Sequence, residues 1–242
     1  MVRFFVTPEI LAQEQIMLAG ENAIHARVLR LKVGEKVVLC DGNGAEALCT
    51  VLSDANEFVL SREEISQSIS EAKVSVSVYM AMPKSDKLEH VIQKATELGA
   101  YEIVTFPTAR CVSRPDDKSL KKKLERWQKI AASASEQSGR GRIPEVIVLP
   151  DYASALERAA AADLSIIFYE NERANLLNNT LSKGSYASVS LLSGPEGGFE
   201  EWEIKQAVKA GLHVCTLGSR ILRCETAPLC ALSAVMYDAG EF

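Results

Sequence analysis

The chain has 242 residues, 47% of them hydrophobic and 24% charged, with a formal net charge of −5. That is the composition of a folded globular protein with room for one large or two smaller domains. No apolar run approaches the ~20 residues of a membrane span, and the start, Met1 to Pro8, is too short and too soon broken by proline for a secretory signal, so a cytoplasmic protein without membrane attachment is expected. The six cysteines (40, 49, 111, 215, 224, 230) form no Cys-x-x-Cys pair and sit mostly in apolar runs, as reduced thiols do. With only His25, His90 and His213, widely spaced, no metal site is expected.

The first 70 residues read as mostly β. Strands at 35–41 and 45–52 flank Gly42-Asn43-Gly44, a hairpin signal, and a further strand is expected at 57–61. A short helix over 21–31 would place Ala23, Ile24, Val28 and Leu31 on one face. Several strands and one helix in this length imply a small barrel, followed by a polar linker at 66–72. The pattern then alternates. Apolar strands are expected at 74–82, 102–106, 145–149, 164–169, 188–192 and 213–217. Helices are expected at 88–98, with Asp86 as N-cap and Gly99 as stop, and at 119–138, 152–162, 200–210 and 226–239. Six strands separated by helices give an α/β fold with a parallel sheet, and two domains are expected at 1–70 and 73–242.

Charge is unevenly spread. Residues 1–72 carry 6 Lys/Arg against 11 Asp/Glu, whereas residues 107–142 carry 10 against 4, a local excess able to attract phosphate. An equally good reading of that stretch is a solvated helix face.

Two glycine-bearing loops carry the chemistry. Leu192-Ser193-Gly194-Pro195-Glu196-Gly197-Gly198 follows one strand, and Leu217-Gly218-Ser219-Arg220-Ile221-Leu222-Arg223-Cys224-Glu225-Thr226-Ala227 follows the next. Loops at the carboxyl ends of strands are where open α/β sheets bind ligands. The glycines let backbone approach a ligand closely. The acidic helix start after the first loop disfavours phosphate there, and neither a dinucleotide fingerprint nor a P-loop is present. The residues alone point to a small, ring-bearing ligand without phosphate; a tight turn and an ordinary helix cap remain the bland alternatives.

Together the loops resemble those of SPOUT-class RNA methyltransferases, in particular the 16S rRNA (uracil-1498-N3)-methyltransferase family. Arg3-Phe4-Phe5-Val6, the run from His25 to Gly34, Pro83-Lys84, Lys94 to Gly99 and Ser135 to Arg140 are similar to further motifs of that family. Ser219, Cys224 and Pro228 depart from its pattern, and Pro228 is tolerable only in the first turn of a helix. The resemblance implies an N-terminal PUA-like β-barrel, a C-terminal domain ending in a trefoil knot, S-adenosyl-L-methionine as methyl donor, and a homodimer acting on 16S rRNA, within the small ribosomal subunit. It assigns donor binding to Glu170, Leu192, Gly194, Pro195, Glu196, Gly197, Leu217, Gly218, Ile221 and Leu222. Arg223, Glu225 and Glu136 are the catalytic candidates. Arg27, Arg30, Lys32, Lys84, Arg110, Arg114 and Arg140 are the RNA-binding candidates. The competing classes are a ribose 2′-O-methyltransferase of the same fold and a non-catalytic RNA-binding protein.

Overall fold

In the computed structural model, which describes residues 1–55, 57–182 and 185–242, the chain divides into two contact units. The first begins β1 (Arg3–Phe5), α1 (Pro8–Leu11), β2 (Gln15–Leu18), α2 (Gly20–Val28), β3 (Lys36–Cys40), β4 (Ala45–Asp54) and β5 (Phe58–Gln67). Its five strands form one sheet in the order β1-β3-β4-β5-β2, parallel only at β1–β3. The expected hairpin joins β3 to β4: Gly42 and Gly44 take φ of 78° and 109°, and the Asp41 carboxylate accepts from the Asn43 and Ala45 amides at 2.7 and 3.0 Å. Register shifts between Ala47 and Cys49 and between Val51 and Ser53 interrupt the β4–β5 ladder. Such irregularities raise twist and bend a sheet around its core, here Phe4, Leu11, Ile16, Val37, Leu39 and Leu60. Among the described residues no ladder joins β1 to β2, so the barrel is open along that seam.

Two local expectations fail. Helix α2 buries only Ala26, while Ile24 and Val28 are exposed, so the apolar face read from their spacing is not its packing face. His25 meets Phe4 edge-on, ring centroids 5.5 Å apart, which makes it a packing residue. The stretch 66–72 is not a free linker. Strand β5 runs to Gln67, Ser68 is buried and donates its amide to Gly44, and the Glu71 carboxylate accepts from Arg140 and from the Gly141 and Arg142 amides. The first unit accordingly comprises Met1–Glu71 and Ser135–Ile143, and the second Ala72–Ala134 and Pro144–Phe242. A linear division at residues 70–73 leaves out the returning segment.

The second unit alternates β6 (Ser75–Ala81), α3 (Lys87–Glu97), β7 (Glu102–Phe106), α4 (Asp117–Ser138), β8 (Glu145–Val148), α5 (Tyr152–Ala159), β9 (Leu164–Phe168), α6 (Leu177–Leu181), β10 (Ser188–Ser193), α7 (Glu201–Lys209), β11 (His213–Cys215) and α8 (Thr226–Asp238). The last turn of α4, from Ser135, is grouped with the first unit. All six strands are parallel, in the order β11-β9-β10-β6-β7-β8, as their near-continuous apolar runs require of a sheet covered on both faces. Central β10 places Leu191 opposite both Val78 and Ile166. Asp86 occupies the position before α3 but makes no capping hydrogen bond, whereas Gly99, at φ 92°, follows the helix end as expected. Pro228 is the third residue of α8, inside the first turn where its missing N–H costs nothing.

Candidate active site

Three strand ends on one edge of the parallel sheet build a cleft of about 520 Å³: the turn after β9, the glycine loop after β10, and the long loop between β11 and α8. Glu170, Gly194, Pro195, Glu196, Gly197, Leu217, Gly218, Ile221, Leu222 and Arg223 all line it. Leu192 does not. It is fully buried within β10 and packs into the sheet core, because alternate strand residues face opposite sides. Leu217 and Leu222 are half-buried walls, while Ile221 is 80% exposed at the mouth.

The glycines have local reasons. The Gly198 amide donates to the Pro195 carbonyl at 2.9 Å and its φ is 67°. A β-carbon on Gly194 would lie 3.1 Å from the Gly198 backbone, and one on Gly197 would lie 3.2 Å from Arg110 Cβ. At these three positions the loop packs closely on itself, on Arg110 and on Glu170. Gly218 differs: at φ 109° its β-carbon direction is open.

Polar groups in the cleft are available to a ligand. Ser193 Oγ, at its floor, is buried without a hydrogen-bond partner among the described residues. The backbone groups of Leu217, Ile221 and Leu222 likewise take no hydrogen bond from the described chain. Buried polar groups need partners, so buried Ser193 Oγ beside apolar walls and free loop backbone suits a flat ring with polar edges.

One side of the cleft carries a charge cluster. Lys87 Nζ lies 2.9 Å from Glu196 Oε1, 3.7 Å from Glu225 Oε2 and 3.8 Å from Cys224 Sγ. Burial alone would raise the Glu196 carboxyl, but hydrogen bonds from Lys87 and the Lys84 amide outweigh it and hold it below its ordinary value. Burial opposes ionisation of Glu225 too, and is outweighed by its backbone and Cys224 hydrogen bonds and by the Lys87 and Arg223 charges. Burial and the neighbouring carboxylates push the Cys224 thiol up to about 12, which removes it as a nucleophile. Arg223 is exposed at the cleft and makes no ion pair among the described residues.

The remaining candidates separate. Glu225 stands just before α8, beside Lys87, and does not line the cleft. Glu136 belongs to the first unit; burial raises its carboxyl, and His25 and Glu21 are the charges it feels. Arg140 is 3% exposed and ion-paired to Glu71, so it holds its own unit together and offers no phosphate contact. The Arg110 guanidinium is taken up by both Glu200 oxygens, at 2.8 and 2.9 Å, and by the Gly197 carbonyl at 2.6 Å, bracing the glycine loop. Arg27, Arg30 and Lys32 are exposed on the first unit, with Lys32 3.5 Å from Asp54. Lys84 is exposed, and Arg114 borders a second cleft. Sequence reasoning missed Lys87 and Ser193. For Lys87 a signal existed: a cation as the first residue of a helix opposes the helix dipole and calls for an anionic partner.

A family model described as an RNA methyltransferase domain matches residues 70–236, and one described as an RNA methyltransferase PUA domain matches residues 18–63. The ribosomal RNA small subunit methyltransferase E of Bacillus subtilis is 37% identical over 98% of this chain and 97% of its own length. Its counterpart in Mycobacterium tuberculosis is 33% identical over 89% of this chain and 84% of its own. Among solved structures, that of the Neisseria gonorrhoeae enzyme of the same name, bound to S-adenosyl methionine, superposes with a TM-score of 0.87 at 30% identity, covering 98% of this chain and 97% of the other. The chain belongs to the ribosomal RNA small subunit methyltransferase E family.

Proposed function

We propose that this protein transfers a methyl group from S-adenosylmethionine to N3 of a uridine in 16S ribosomal RNA, the 1498-type position, in the cytoplasm. The carrying observation is the cleft between the two glycine loops, with apolar walls and unpartnered polar groups, in a chain of this family. When bound, S-adenosylmethionine supplies an electrophilic methyl group on a sulfonium. Leu217 and Leu222 would wall its adenine, while Ser193 Oγ and the free backbone groups of the 217–222 loop would take its polar edges. Glu170, Gly194, Pro195, Glu196, Gly197, Gly218 and Ile221 complete the pocket lining.

Uridine N3 carries a proton, and its lone pair becomes available as that proton leaves. Arg223 is the group we assign to the negative charge that then develops on O2 or O4, since a fixed cation there favours the transition state over the neutral base. Glu225, kept ionised by its backbone and Cys224 hydrogen bonds and by the Lys87 and Arg223 charges, is our candidate proton acceptor. Arg27, Arg30 and Lys32 on the first unit, with Lys84 and Arg114 on the second, are assigned to RNA phosphates, which position without reading sequence. Trefoil threading of the C-terminal segment and a homodimer are part of this reading. An exposed apolar groove that includes Leu176 and Tyr237 supports the dimer, and sedimentation of the purified protein tests it.

The decisive experiment is nucleoside mass spectrometry of 16S rRNA from a strain lacking the gene, before and after incubation with the purified protein. Loss and restoration of 3-methyluridine are expected. Restoration of a ribose-methylated nucleoside instead, or no change, would sink the proposal.

A further inference from the structure

The carboxyl edge of the parallel sheet holds a second cleft, about 940 Å³, at the ends of β6, β7 and β8. We propose that this cleft takes a nucleotide of single-stranded RNA flanking the methylated one, an inference that rests on the methyltransferase reading above.

Trp202, on the first turn of α7, forms part of its rim with 51% of its surface exposed, whereas Trp127 is buried. Leu120 and Leu124 of α4 and Leu149 after β8 give it half-buried apolar walls. An exposed indole beside aliphatic walls is a stacking surface that any base can use. The charge on the rim selects the polymer. Arg114 and Lys121 line the cleft and Lys118 and Lys122 are exposed on α4 nearby; none of these four side chains makes a hydrogen bond or ion pair among the described residues. The acids are mostly occupied: the oxygens of buried Glu203 accept from the Ala109 and Glu200 amides, and Asp116 accepts from the Ser119 amide. Asp117 alone is left on the lining, an acceptor for the N–H of a base edge.

Position makes the two clefts one track. The first is built on the ends of β11, β9 and β10 and the second on the ends of β6, β7 and β8, so the two adjoin where β10 pairs with β6. Their middle strands, β9 and β7, are three strand spacings apart, roughly 14 Å, about four stacked nucleotides at ~3.4 Å each. Arg110, gripping Glu200 and the Gly197 carbonyl, ties the loop of the second cleft to the glycine loop of the first.

The test uses the full-length protein and an end-labelled oligouridylate, with affinity read by fluorescence anisotropy over a series of salt concentrations. Trp202→Ala is expected to weaken binding about tenfold, the range of one lost base–aromatic stack. Arg114→Ala is expected to lower the slope of log affinity against log salt by about 0.7, one phosphate contact. Both residues are exposed, and an unchanged S-adenosylmethionine affinity by calorimetry shows that fold and first cleft are intact. If both variants bind as the wild type does while the wild type still methylates 16S rRNA, the proposal is overturned and the methyltransferase reading stands. If polyglutamate protects the Trp202 emission from acrylamide and oligouridylate does not, the cleft serves a protein partner and the proposal is equally overturned. A wild type that neither binds nor methylates RNA removes the methyltransferase reading and this inference with it.

Discussion

A β-carbon on Gly198 would stand 2.5 Å from Oε1 of Glu170, the residue that follows the end of the neighbouring strand by two positions. Any side chain at 198 would require that carboxylate, at the end of a flexible side chain, to swing aside. With φ at 67°, Gly198→Ala also forces an L-residue into the left-handed region. Loss of about 1–2 kcal/mol of stability is expected, together with a weakened S-adenosylmethionine affinity. Adding Glu170→Ala relieves the collision and leaves only the backbone term, so thermal melting of the double variant should fall between the wild type and the single variant. Additive losses would show that the two residues do not meet.

Arg223→Ala should separate binding from turnover. Because the guanidinium is unpaired at the cleft mouth, methyl transfer is expected to fall about a hundredfold, as on removal of one donor to a developing oxyanion, with the donor's Kd nearly unchanged. Arg223→Lys should recover part of the rate. Near-wild-type methylation by the alanine variant would remove Arg223 from the reaction.

Lys87→Met strips the cation from two carboxylates. Glu196 and Glu225 are held below their ordinary 4.5, so their pairing stabilises the native state above that value and the contribution is lost as pH falls through the lowered one. Lys87, raised above 10.5 chiefly by its hydrogen bond to Glu196, contributes below that pH and stops contributing in strong alkali. The Tm difference between wild type and Lys87→Met should therefore be largest near neutrality and close in acid. A difference constant across that range would mean that Lys87 acts through packing alone.

Arg140→Ala breaks an ion pair whose arginine side chain is 4% exposed and whose Glu71 is 18% exposed. Removing one partner of such a pair costs about 3 kcal/mol or more, measurable as a lowered denaturation midpoint. At temperatures where the variant stays folded, its RNA affinity should match the wild type, since the side chain does not reach the surface. A selective loss of RNA binding would restore Arg140 as a contact.

How much of this was legible in the sequence depended on how far apart the interacting residues are. The six strands of the second unit announced themselves as apolar runs because both faces of a parallel sheet are covered. The outer half of β5, Arg62 to Gln67, did not, since it pairs with β4 while its side chains stay largely in water. One-turn α1 and five-residue α6 are too short to show a helical period, and β2 has only four residues. In the cleft, the two chain-adjacent motifs placed eight of the ten proposed donor-site residues on the lining and Glu170 makes nine; the side chain of the tenth, Leu192, is turned inward by strand alternation. Lys87 carried only the local signal of a cation at a helix start, because its partner Glu196 is 109 positions away, and Arg140 looked like a surface cation because Glu71 is 69 positions away.

The return of Ser135–Ile143 to the first unit bears on how the chain is made. Strands β1 to β5 leave the ribosome long before the segment that fills the Glu71 carboxylate with Arg140 and two amides, and that packs Gly141 against Ser68, where even a β-carbon would collide. Nascent chains fold domain by domain as they emerge. Here the N-terminal unit can reach its final form only after about sixty residues of its neighbour have been synthesised.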